Sequence, residues 1–147
     1  MILMISIKTL KDSYLIDDNL SDKYILPVIK KGQDFIIRPI LGEKLYSQII
    51  EEIENDTLTE ESESILNKIE PILAYYVMSE VVYSTAYKLK NEGLENNDSS
   101  NRFDELVRIS KKYLLDSQHY ESLLRDFIII PCDNNQKNIY KSGLYLG

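Results

Sequence analysis

Pro71-Ile-Leu-Ala-Tyr-Tyr-Val-Met-Ser-Glu80-Val-Val-Tyr-Ser-Thr-Ala-Tyr-Lys-Leu89 is the longest apolar stretch of the chain, and its reading decides the fold. A bilayer requires roughly 20 consecutive apolar residues. Here Glu80 sits mid-run and Tyr75, Tyr76, Tyr83 and Tyr87 punctuate the rest, so the uninterrupted length falls short. The stretch reads instead as a buried helix. Ile72, Leu73, Tyr76, Val77, Val81, Tyr83, Ala86 and Tyr87 leave it almost no polar face, so other helices or neighbouring subunits must surround it. It is the second half of a helical region over about 60–91, in which Pro71 marks either a kink or the N1 position of a fresh helix. Gly93 ends it as a C-cap would.

The segments before it are also helical. From 43 to about 54, Leu45, Tyr46, Ile49, Ile50 and Ile53 recur at helical spacing. Asn55-Asp56-Thr57 makes a loop in which Thr57 and Thr59 can both cap, with Glu60 three residues after Thr57 as in a capping box. Pro39-Ile-Leu-Gly42 reads as a tight corner, because a residue before proline is pushed out of helical geometry and Arg38 is that residue. Ahead of it, Ser21-Asp22 is a strong N-cap signal for a helix running to about Arg38, with Pro27 tolerable in or near its first turn. Ile25, Val28, Ile29, Phe35 and Ile36 supply its apolar side. Ile5-Ser6-Ile7-Lys8 alternates like a short strand or extended arm, and Thr9 then caps one helical turn through Tyr14.

Beyond Gly93 the run Glu-Asn-Asn-Asp-Ser-Ser-Asn101 is polar and rich in turn formers, which predicts an exposed loop. A last helix over about 102–127 carries Phe103, Leu106, Val107, Ile109, Tyr113, Leu114, Tyr120, Leu123 and Leu124 on its apolar side, and Pro131 stops it. Residues 132–147 differ in kind. A polar linker leads to Ile139, Tyr140, Leu144, Tyr145 and Leu146, too little apolar area to fold alone yet wasted on solvent, as in an arm awaiting a partner. The expectation is a mainly α protein: a small bundle of about four helices over 1–131 with extended N- and C-terminal arms.

Composition limits the function classes. With 147 residues, 44% hydrophobic and 28% charged, the chain suits one globular domain. A net charge of −7 disfavours nucleic-acid binding as the main task, although it would suit a wall past which DNA slides without sticking. Cys132 is the only cysteine, so no intrachain disulfide forms, and no Cys/His spacing suggests zinc. Met1 to Ile7 lacks the basic leader and cleavage site of a signal peptide, which points to synthesis and folding in a cytoplasm.

Chemistry is sparse. The five glycines are scattered, with no phosphate-cradling loop, metal-helix motif or nucleophile elbow. No cofactor is expected. His119 reads as a surface or packing residue, Cys132 as inert, and Glu51-Glu52-Glu54 and Glu60-Glu61-Glu63 as solvated helix ends rather than cation sites. Glu80 stands out, because a carboxylate in so apolar a helix must be paired, protonated or turned to an interface. A pair with a Lys or Tyr of the same subunit is the plainer reading.

Ile36-Ile-Arg38-Pro39-Ile-Leu41-Gly42-Glu-Lys-Leu45-Tyr46, then Ile69-Glu-Pro71-Ile-Leu-Ala-Tyr-Tyr-Val77 with Glu80, then Lys90-Asn-Glu-Gly-Leu94, and a helix ending around Tyr120 to Leu124 follow one another in an order that resembles the head-to-tail connector proteins of tailed phages, especially the neck ring proteins of crAss-like phages. The likeness covers about residues 3–127. It implies a small helical bundle and a non-enzymatic virion subunit that assembles into a ring, typically of twelvefold symmetry, beneath the portal. The ring joins capsid to tail, contacts other neck or tail rings, and passes the genome through its lumen without specific DNA recognition. Pro39, Leu41, Gly42, Leu45, Tyr46, Glu80, Ile139, Tyr140, Leu144, Tyr145 and Leu146 become expected subunit or portal contacts. No membrane contact is expected. The pairs Lys30-Lys31 and Lys111-Lys112 read as solvated faces; in such a ring they would be able to touch DNA phosphates or an acidic neighbour, and the sequence leaves both open. Two other classes compete: a monomeric helical module that regulates or adapts a partner protein, and an enzyme built on the carboxylates and His119.

Overall fold

The computed structural model describes residues 1–91 and 97–129 of the chain. These form α1 (Ile7–Ser13), α2 (Asp22–Gly32), a π-helical turn (Gln33–Ile37), α3 (Arg38–Leu41), α4 (Glu43–Glu54), α5 (Glu60–Asn91) and α6 (Asn97–Ile129), with no strand among the described residues. The protein is a small all-α bundle, as the periodicity predicts.

The N-terminal segment departs from the expected alternation. Of Ile5-Ser6-Ile7-Lys8, the last two lie in the first turn of α1, so the alternation belongs to no strand. The cap of α1 is Ser6 rather than Thr9: its hydroxyl accepts a hydrogen bond from the Thr9 amide at 3.0 Å. Lys11 then closes the following loop by donating to the carbonyls of Asp18 (3.0 Å) and Leu20 (2.9 Å). Ser21 caps α2 as read from the sequence. Pro27 lies inside α2, past its first turn, with its ring exposed.

Arg38 is helical (φ −55°, ψ −47°), contrary to the usual effect of a following proline. The π turn explains this. The Arg38 amide reaches back five residues to the Gln33 carbonyl, and this wider ring loosens the turn into which Pro39 must fit. One helix therefore continues from Asp22 to Leu41, and the corner is made by Gly42 alone, at φ 82°, ψ 159°, a conformation strained for any residue with a Cβ.

The α4–α5 connection also differs in detail. Thr59 is the cap, its hydroxyl accepting from the Ser62 amide at 3.1 Å, and its own amide donates to Glu52 Oε1 at 3.1 Å. The expected box between Thr57 and Glu60 is replaced by a carboxylate from the preceding helix. α5 then runs unbroken through Pro71.

α5 and α6 form a long antiparallel hairpin. Ser110 Oγ donates to the Ser79 carbonyl at 2.9 Å, Ser117 Oγ donates to the Ile72 carbonyl at 2.8 Å, and Tyr87 meets Phe103 edge-on. Serines in this seam let the helices approach closely. The short helices pack on the half of the hairpin nearest Glu60, where Ile25, Ile29, Ile37, Ile49, Ile69, Ile72, Leu73, Val77 and Leu124 are fully buried. Burial of an aliphatic side chain contributes about 1.5–3 kcal/mol, and this cluster is the source of the fold's stability.

Past Glu80 no other described element packs on the hairpin, for about 16 Å of helix. Only Ala86 is buried over 81–91, while Tyr83 and Tyr87 are 43% and 44% exposed. Among the described residues other helices do not enclose this part of α5, which leaves neighbouring subunits as the expected cover. α6 starts at Asn97, not near Arg102; the Asn, Asp and Ser residues that suggest a loop also suit the first turn of a helix. Gly93, Leu94 and residues 132–147 lie outside the described residues.

Candidate interaction surface

The corner between α3 and α4 is built from both sides. Gln33, buried in the π turn, accepts a hydrogen bond from the Met4 amide (2.8 Å) and donates to the Ile2 carbonyl (3.1 Å), with Tyr46 Oη at 3.4 Å from its amide nitrogen. The Arg38 guanidinium lies 4.6 Å from the Tyr46 ring centroid, and its Nε is 3.3 Å from Glu43 in an ion pair whose angle makes no hydrogen bond. Asp34 extends the network to Lys30 at 3.0 Å and Arg38 at 3.8 Å.

Of the residues expected at an interface, Leu41 and Tyr46 are only 3% exposed and belong to the core of their own subunit. The helical period that puts Tyr46 on the apolar side of α4 places it inward. Gly42 and Leu45 are half-buried and Pro39 is exposed. Glu80 is half-buried and lies 3.9 Å from Lys31, the intramolecular pair that is the plainer reading of the sequence. Ile139, Tyr140, Leu144, Tyr145, Leu146 and Cys132 lie outside the described residues.

Tyr76 is buried beside Glu80. Burial, then the carboxylate's charge and hydrogen bond, push its phenol up to about 12. Tyr14 is shifted the same way by burial and by donating to Glu70 Oε2 at 3.1 Å. Tyr14 also meets Tyr75 edge-on, and Tyr75 stacks on Tyr120 at 5.7 Å and Tyr113 at 6.3 Å, so tyrosines join α1, α5 and α6. A phenol that resists ionisation in the folded state stabilises the fold fully below the unfolded value near 10, and the benefit is lost as pH rises through the folded value. Stability is therefore expected to fall between about pH 10 and 12, by about 2 kcal/mol for Tyr76 alone. Denaturant melts at stepped pH should show a shallower fall for Tyr76→Phe; an identical slope in the variant would refute the assignment.

The surface carries more apolar material than the periodicity predicts. Leu115 is 65% exposed, and Leu114, Leu123 and Phe127 are also exposed. Leu114 and Leu123 are expected inside from their spacing, but Ser110 and Ser117 take the seam positions. Leu115 is not singled out by the sequence, where the only signal is that neighbours on a helix, turned by about 100°, cannot both face one seam. Leu58, in the α4–α5 loop, is 40% exposed among acidic residues. His119 is exposed with its ring edge-on to Tyr120. Among the described residues no group of three or more His, Cys, Asp or Glu side chains is placed to hold a metal ion, and no helix is long and apolar enough to cross a membrane.

No curated protein and no solved structure matches the chain. Residues 37–128, which span the end of the π turn, the Gly42 corner and nearly all of the long hairpin, match a family of unknown function, DUF6712. The chain belongs to the DUF6712 family.

Proposed function

We propose that this protein is a structural subunit of a phage head-to-tail connector, assembling with copies of itself beneath the portal, joining capsid to tail and leaving a lumen for the genome. The observation that supports this best is the uncovered hairpin: among the described residues its outer half packs on nothing but itself and leaves Tyr83 and Tyr87 exposed, while α6 exposes Leu114, Leu115 and Leu123 nearer the core. Exposed apolar surface of this kind on a long hairpin is what a contact surface would use. The ordered resemblance to neck ring proteins names the kind of assembly such a surface would serve.

Native mass spectrometry of the full chain, alone and mixed with a phage portal protein, tests the reading. A closed ring near twelve copies in either sample is the expected result. A monomer that ignores the portal would refute portal docking and favour a monomeric binding module.

A further inference from the structure

Resting on the assembly reading above, we infer that the outward face of α6 around Leu115 docks on the α4–α5 corner of a second copy of this chain. At about 100° per residue, Arg108, Lys111, Lys112, Leu115 and His119 share one stripe of α6, opposite the seam serines. All five are exposed. The stripe is therefore an apolar knob, Leu115, bordered by three cations.

The α4–α5 corner is its counterpart in charge. Leu58 is exposed there, and Glu54, Asp56, Glu60 and Glu61 around it are exposed as well. Among the described residues, none of these acids and none of Arg108, Lys111 and Lys112 enters an ion pair. Complementary potential of this kind steers association and fixes its register.

The two patches cannot satisfy one another within a single copy. The antiparallel pairing of Ser79 with Ser110 and Ile72 with Ser117 puts the start of α5 beside the end of α6. Leu115 thus lies about 20 Å along the hairpin from the corner. Two unlike patches on one chain make a contact that propagates from copy to copy, and it closes into a ring when the rotation between copies allows. DNA is the weaker occupant for the basic stripe: a leucine at its centre offers nothing to phosphate, and a net charge of −7 opposes approach of a duplex.

Charge reversal in the full chain tests this. One variant carries Arg108→Glu, Lys111→Glu and Lys112→Glu; the other carries Glu54→Lys, Glu60→Lys and Glu61→Lys. Circular dichroism confirms that each is folded. Each alone is expected to lose self-association, read by native mass spectrometry and sedimentation with portal present, with an apparent constant weaker by on the order of a hundredfold. An equimolar mixture should recover it, because each variant's corner then meets a face of opposite sign. If the wild-type chain assembles and both variants assemble equally well, the interface lies elsewhere and only this inference falls. Failure of the mixture to recover also overturns it, as does a basic-face variant that loses duplex binding but assembles normally. If the wild-type chain assembles under no condition, the ring reading itself fails and takes this interface with it.

Discussion

Leu73→Ala is expected to lower stability by about 2–5 kcal/mol, and Gly32→Ala by about 1–3 kcal/mol less the roughly 1 kcal/mol that alanine gains over glycine within a helix. The two changes should partly cancel when combined. A Cβ built on Gly32 would meet Leu73 Cδ2 at 2.8 Å and the Tyr76 ring at 3.0 Å, so α2 touches α5 there with no room for a methyl. Leu73 is fully buried and cannot swing away without displacing its neighbours. Cutting Leu73 back to alanine opens the space that the methyl added by Gly32→Ala would enter. In a double-mutant cycle followed by denaturant unfolding, the double variant should lose less than the sum of the single losses, by about 1 kcal/mol or more. Strict additivity would mean that α2 and α5 do not meet at this point.

Gln33→Leu is the second change expected to cost much. It keeps the volume but removes the acceptor for the Met4 amide and the donor to the Ile2 carbonyl. A buried amide left without a partner costs about 1–3 kcal/mol, and loosening residues 1–5 would forfeit part of the burial of Met4 and Ile5 as well. A fall in Tm of roughly 5–10 °C follows at about 2–4 °C per kcal/mol. Limited proteolysis should then cut near the N-terminus before it cuts elsewhere. Wild-type stability in this variant would show that the glutamine is a passenger.

Much of this fold is legible in the sequence because Leu, Ile and Val at helical spacing report a core directly. The bounds of α4 and α5, the Ser21 cap and the Gly42 corner are all readable in that way. What stays hidden involves residues whose role reverses with context. Ser79, Ser110 and Ser117 look like solvent residues, yet they are buried in the seam, where the Ser110 and Ser117 hydroxyls donate to carbonyls of α5 and the Ser79 hydroxyl bonds to that of Ser110. Their presence displaces Leu114 and Leu123 outward, so spacing alone draws the apolar side of α6 too wide. Tyr46 is legible as an anchor of its own helix, whereas the burial of Leu41 within its own subunit is not, because it lies in the turn before Gly42 where no long period reports it. Leu58 and Leu115 leave no trace beyond composition; only the position of the seam shows that they face outward.

The π turn before Pro39 has one more consequence. An α-helix keeps its apolar stripe in place only while residues recur every 3.6 positions, and from Ile29 that recurrence would have turned Ile37 and Leu41 by about 80° and about 120° away from the core. A turn that takes in an extra residue winds the helix back, and all three are buried. Chain length within Gln33–Ile37 is thus a setting of angle: removing one residue would rotate everything before it by about 100° relative to everything after it. Insertions and deletions there act as a twist of the segment before the turn against the rest of the protein, whatever residue is added or lost.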